Sequence, residues 1–168
     1  MAELNEILEM IEKSEDFSEL KKKYPKIFLY AVFSILADDK FNRDFDYYLN
    51  EREVVMFSYI NNQIQMKISK LDENIVKNTK KPSEIKGKII LEPEIVAEIV
   101  KKEMKKQKVE SQISKLILTL MQEDKLVWKV NCILTNLDIL QIDISDSDKK
   151  VIKFGKKNLG DFVKYVKK

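Results

Sequence analysis

Three aspartates fall within six positions at Asp143, Asp146 and Asp148, and the chain's single cysteine, Cys132, lies shortly before them. Converging carboxylates are what a hard cation needs, and a thiolate is what a soft metal or covalent chemistry needs. The surroundings favour plainer readings. Calcium loops of the Asp-x-Asp-x-Asp-Gly kind use a glycine for their sharp turn, and this stretch has none. Aspartate and serine side chains bond nearby backbone in turns, so the segment reads as a hairpin turn with Asp143 on the wet face of the preceding strand. Cys132 belongs to the series Leu126, Trp128, Val130, Cys132, Leu134, which a strand sets on one face. Buried there, the thiol is a small hydrophobe with little reactivity.

Other chemistries are limited by what is missing. The 168 residues contain no histidine, which removes Ser-His and Cys-His nucleophile pairs and the commonest general base near neutral pH. One cysteine allows no intrachain disulfide and no cysteine-rich metal centre. Three glycines leave little for a phosphate-cradling loop. The carboxylates fall on exposed helix faces and turns, without an apolar pocket to raise one above another. The expectation is a chain that is not an enzyme and uses neither cofactor nor metal.

A contact surface is the more promising site. Residues 38 to 54, Asp38-Asp-Lys-Phe-Asn-Arg-Asp-Phe-Asp-Tyr-Tyr-Leu-Asn-Glu-Arg-Glu-Val54, hold both arginines of the protein among four aromatics. Arginine and aromatic side chains carry much of the binding energy at protein interfaces. Phe41, Arg43, Tyr47, Tyr48 and Arg52 are therefore the candidate protein-contact residues. The competing reading is an extra strand or short helix whose aromatics pack on a sheet.

The elements that position these residues follow from periodicity. Leu4, Ile7, Leu8 and Ile11 repeat at helical spacing, Phe17 and Leu20 continue as a shorter helix, and Pro25 closes it. Residues 27 to 39, 53 to 60 and 63 to 70 have strand character, the last two joined by Asn61-Asn62, which tolerate the positive φ of a tight hairpin. A polar, lysine-rich stretch follows. Pro93 then opens a helix whose buried side is marked by Ile95, Val96, Ile99, Val100 and Met104. Residues 113 to 121 read as a second, well-buried helical run. Strands follow at 125–135, 139–145 and 150–154, and Leu159, Phe162, Val163 and Val166 predict a terminal amphipathic helix. The expected organisation is an N-terminal α+β half (1–75), a linker (76–88) and a C-terminal α+β half (89–168).

The two halves superpose in sequence. Leu29-Tyr-Ala-Val-Phe-Ser-Ile-Leu-Ala37 matches Val127-Trp-Lys-Val-Asn-Cys-Ile-Leu-Thr135, setting Tyr30 against Trp128 and Ser34 against Cys132 with the same buried parity. The predicted fold class is α+β, a helix followed by an antiparallel β-meander occurring twice. With Val127-Trp-Lys-Val130 on one strand and Ile142-Asp-Ile-Ser-Asp-Ser-Asp-Lys-Lys-Val-Ile152 across the hairpin, this unit resembles the PepSY-type or cystatin-like modules, over residues 93 to 154. PepSY hairpins commonly read Ile-Asp-x-x-x-Gly-Lys-Val; here Lys149-Lys150 stand where the glycine belongs. The resemblance implies a non-catalytic module that binds or restrains another protein, often a peptidase.

Charge and hydropathy complete the expectation. Residues 1 to 20 carry seven acids against Lys13, and residues 149 to 168 carry eight lysines against Asp161. The N-terminus is acidic and periodic, unlike a signal peptide, and no apolar run approaches the ~20 residues that span a bilayer. A cytoplasmic protein without membrane contact is expected, its partner another protein or a second copy pairing free strand edges. The alternative is a lysine-rich nucleic-acid binder using Lys101, Lys102, Lys105, Lys106 and Lys108. Lysine in place of arginine disfavours it, because phosphate forks are arginine geometry.

Overall fold

The computed structural model describes residues 2–74 and 80–158. Two short helices come first, α1 (Leu4–Glu12) and α2 (Glu15–Lys23). Helix α1 buries Leu4, Ile7 and Ile11 and opens with a capping box between Glu3 and Glu6. Ser14 caps α2 by accepting the Phe17 N–H. Acids in the first turn of α2 and three lysines in its last suit its dipole. Helix α3 (Pro93–Lys106) begins on its proline and buries Val96, Ala97, Val100 and Met104.

The strands are β1 (Phe28–Ala37), β2 (Lys40–Phe41), β3 (Arg43–Tyr48), β4 (Glu53–Ile60), β5 (Gln63–Lys70), β6 (Ile113–Gln122), β7 (Leu126–Leu134), β8 (Asp138–Ser145) and β9 (Val151–Asn158). They form one antiparallel sheet in the order β5-β4-β3-β1-β6-β7-β8-β9, with β2 paired to β1. The β4–β5 turn has Asn61 and Asn62 at φ of 51° and 63°, as two-residue hairpins require.

This architecture corrects the expectation of two cystatin-like or PepSY-like halves. The decisive pairing is β1 with β6, in register from Ala31↔Met121 to Leu36↔Leu116, which runs the sheet unbroken through the centre of the molecule. One hydrophobic core spans it, containing Ile7, Phe17 and Phe57 as well as Val100, Leu118 and Trp128. The supposed equivalence of Tyr30 and Trp128 fails with it. Trp128 is fully buried on β7, between β6 and β8, whereas Tyr30 is half-buried on β1 as the unpaired residue of a bulge against β3. Every strand with one buried face shows the same alternation, so an alignment that slips by a whole strand keeps its parity.

Two local readings change for related reasons. Residues 113 to 121 form β6, not a helix. Their apolar positions fit both periods, but Leu116, Leu118 and Leu120 are the buried ones, and β-branched Ile113, Ile117 and Thr119 suit a strand. Residues 38 to 54 are a tight turn at Asp38-Asp39, β2, and all of β3, which occupies the position between β1 and β4. The expected terminal helix lies outside the described residues.

The segment before α3 is tied into the core. Ile85, Ile89 and Leu91 are buried, and the Ile85 N–H donates to the Leu29 carbonyl at 2.8 Å. Asn5 binds Ile89 in both directions, its amide donating to the carbonyl at 2.7 Å and its oxygen accepting the N–H at 3.1 Å. Glu92 accepts the Leu4 N–H at 3.0 Å, closing the N-terminus of α1.

Candidate interaction surface

Strand register assigns each side chain to a face, because residues opposite one another in antiparallel strands point the same way. On one face Val32, Phe45, Phe57, Leu118, Val130 and Ile142 are buried beneath the helices. Among the described residues the other face carries no helix. Across it, Ala31 lies between Asp46 and Met121, Phe33 between Asp44 and Thr119, and Ile35 beside Ile117. Phe33, Ile35, Ile117 and Met121 are half-buried, an apolar centre on an open sheet.

Asp44 and Asp46 edge this centre. Asp44 accepts the Asn42 side-chain N–H at 2.9 Å. Neither carboxylate has a cationic partner among the described residues. Burial, and then the charge of Asp44, pushes the Asp46 carboxyl up to about 6. Burial, with Asp46 close by, pushes the Tyr30 hydroxyl up to about 12, so it stays protonated as a hydrogen-bond donor. On the far side of the apolar centre Lys129 bonds Asp143 at 2.8 Å and also contacts Glu123. Its burial opposes the charge, but those hydrogen bonds more than offset that and raise its pKa. The open face thus has an uncompensated acidic side and a neutralised one.

The predicted contact residues do not come together. The Arg43 side chain is only 4% exposed beneath the helices, its guanidinium 2.8 Å from Glu94 and 3.7 Å from Glu92. Tyr47 is 1% exposed, edge-on to Phe17 at 5.3 Å and to Phe57 at 5.6 Å. Tyr48 points to the opposite face, stacked on Phe28 at 5.1 Å, with the Lys81 ammonium over both rings. Phe41 is half-buried on β2 and packs against the core. Arg52 is exposed in the β3–β4 turn, its carbonyl accepting the Leu71 N–H. Burial leaves Arg52 and part of Phe41 accessible to a partner.

Sequence reasoning missed Asp44, Asp46, Phe33 and Ile117. The signal was the alternation within Arg43-Asp-Phe-Asp-Tyr-Tyr48, which sets two carboxylates on one face of a strand. It becomes visible only once β3 is recognised as a strand.

The α3 lysines have mixed company. Lys101 and Lys105 line an open groove of about 860 Å³ with Lys115, over Leu36, Met104 and Ile113, but Asp38 and Asp39 line it too. Among the described residues, no group of three or more His, Cys, Asp or Glu side chains is placed to hold a metal. No described helix is long and apolar enough to cross a membrane.

No family model matches the sequence, and no curated protein matches it. Among solved structures the chain is similar to one from Clostridium difficile 630 described as a "putative lipoprotein". Identity is 15% and the TM-score 0.53, over 85% of this chain and 91% of that one. At that identity the likeness speaks to the fold alone.

Proposed function

We propose that this chain is a non-catalytic protein-binding module that holds its partner on the open face of the sheet. The observation that carries the reading is the one-sided covering. All three described helices pack on one face, while the other presents Phe33, Ile35, Ile117 and Met121 beside two carboxylates that have no cationic partner among the described residues. An apolar centre with a polar border is the usual anatomy of a protein interface. The partner segment that fits it is apolar and carries a lysine or arginine to meet Asp44 and Asp46.

The test is capture from a lysate of the source cell by immobilised wild-type protein and by Phe33→Asp, Asp44→Asn/Asp46→Asn and Lys22→Glu variants. Lys22 lies on the helix side, exposed on α2. Far-UV circular dichroism first establishes that each variant is folded. A protein bound by the wild type and Lys22→Glu, lost with Phe33→Asp and weakened at least tenfold by the double asparagine variant, is the expected result. Capture indifferent to Phe33→Asp overturns the reading. Nucleic acid retained at low salt and released steeply as salt rises would replace it with the lysine-based alternative.

A further inference from the structure

We infer that the β5 edge is a homotypic interface, in which two copies of this chain pair β5 with β5 in antiparallel register centred on Met66. The inference stands apart from the open-face reading and uses none of its residues.

Strand β5 is hydrogen-bonded to β4 along its whole length, from Glu53↔Lys70 to Ile60↔Gln63. It is the last strand in the sheet order, so its other edge is unpaired among the described residues. Such an edge is a template for another strand. The covering helices do not reach this far across the sheet. Val55 and Phe57 on β4 are fully buried, yet their partners Ile68 and Met66 on β5 are 44% and 38% exposed. Ile64, Met66 and Ile68 therefore form an apolar row along an open edge, continuous with the buried core behind it. The opposite edge of the sheet differs. Strand β9 carries Lys153, Lys156 and Lys157, the kind of charge that keeps edges apart.

The sequence of β5 selects the occupant and the register. Opposite residues in an antiparallel pair share a face, so chemistry must match position by position. Centred on Met66, the pairing sets Ile64 against Ile68 of the second copy, Met66 against Met66, and Gln65 against Lys67. Asn62 then faces Lys70. Three apolar pairs form on one face, and no lysine meets a lysine. Centred on Lys67, the pairing sets Lys67 against Lys67 and Ile64 against Lys70. Centred on Gln65, it leaves Ile68 against Asn62. A register shifted by one residue sets Met66 against Lys67 and Ile68 against Gln65. Only the Met66 register is self-complementary in both charge and hydrophobicity, as a two-fold interface requires. It joins the two sheets into one, with the helices of both copies on the same side.

Sedimentation equilibrium of the full chain tests the association, and cysteine cross-linking tests the register. The wild type is expected at twice its 19.8 kDa chain mass. Met66→Lys is expected to be monomeric and folded by far-UV circular dichroism, with a melting temperature that no longer rises with protein concentration as the wild type's does. Under mild oxidation Met66→Cys cross-links to itself. Ile68→Cys does not, but does so when mixed with Ile64→Cys, because only directly opposite positions come within disulfide reach. A wild type that is monomeric at roughly 100 µM, where any dimer of micromolar affinity is formed, or a dimer unaffected by Met66→Lys, overturns the inference. So does self-cross-linking of Ile68→Cys in place of Met66→Cys.

Discussion

Asp146 accepts the indole N–H of Trp128 at 3.0 Å, across the hairpin that joins β7 to β8. The same carboxylate accepts the backbone N–H groups of Ile90 at 2.8 Å and Leu91 at 2.9 Å, more than fifty residues earlier in the chain. It is 1% exposed. Three donors converging on one buried charge make it a joint between the segment entering α3 and the second half of the sheet.

Removing that joint is costly. Asp146→Ala is expected to lower stability by about 3 kcal/mol, because it leaves the buried N–H groups of Trp128 and Leu91, and the part-buried one of Ile90, without an acceptor. Asp146→Asn, which keeps one acceptor oxygen, is expected to lose roughly half as much. Urea denaturation followed by the fluorescence of Trp128, the chain's only tryptophan, measures both. Equal midpoints for wild type and Asp146→Ala would show the joint to be energetically idle.

Tyr47 and Arg52 separate core from surface within the 38–54 segment. Tyr47→Ala empties the space between Phe17 and Phe57 and is expected to cost about 3–5 kcal/mol. Arg52→Ala is expected to stay within about 0.5 kcal/mol. Thermal melts of the two single variants decide it, and similar losses would contradict the assignment.

Asp46 makes stability depend on pH with an unusual sign. Its carboxyl is pushed up to about 6 by burial and then by Asp44, so the native state holds a proton that the unfolded chain releases near pH 4. Its contribution is therefore most favourable below about pH 4 and is lost as pH rises through 6. Charges facing it are Asp44 on its own strand, with Lys67 two strands away and the neutral Tyr30 hydroxyl nearby. Asp46→Asn, which removes the charge, is expected to melt about 3 °C above wild type at pH 8, with the difference closing by pH 4. A gap independent of pH would assign the effect to something other than this ionisation.

Cys132 is fully buried, and burial pushes its thiol up to about 11. Ellman's reagent at pH 8 is expected to leave the native protein unmodified and to react at once when guanidinium unfolds the chain. Rapid modification of the native chain would show that β7 opens to solvent.

Local signals made much of the fold legible. The helix at Leu4, the hairpin at Asn61-Asn62, the start of α3 at Pro93 and strands β7, β8 and β9 each follow from side-chain periodicity and turn chemistry. Asp143 lies on β8 and the turn is Asp146–Asp148, as the serines and missing glycine of the stretch imply, though nothing local reveals that Asp146 reaches back to Ile90 and Leu91. Strand β6 was hidden because its apolar spacing fits a helix as well as a strand. The candidate surface was hidden for a deeper reason. Which face stays open depends on where all the helices settle, and the β1–β6 pairing joins residues as far apart in sequence as Ala31 and Met121. No short stretch of sequence carries that information.

That central pairing also orders events during synthesis. A nascent chain presents β1 with its inner edge bare until β6, ending at Gln122, has cleared the ribosome. Translation at ~5–20 residues per second leaves the edge of Phe33 and Ile35 unprotected for several seconds. The first meander therefore waits, sticky on one side, for the second to be made.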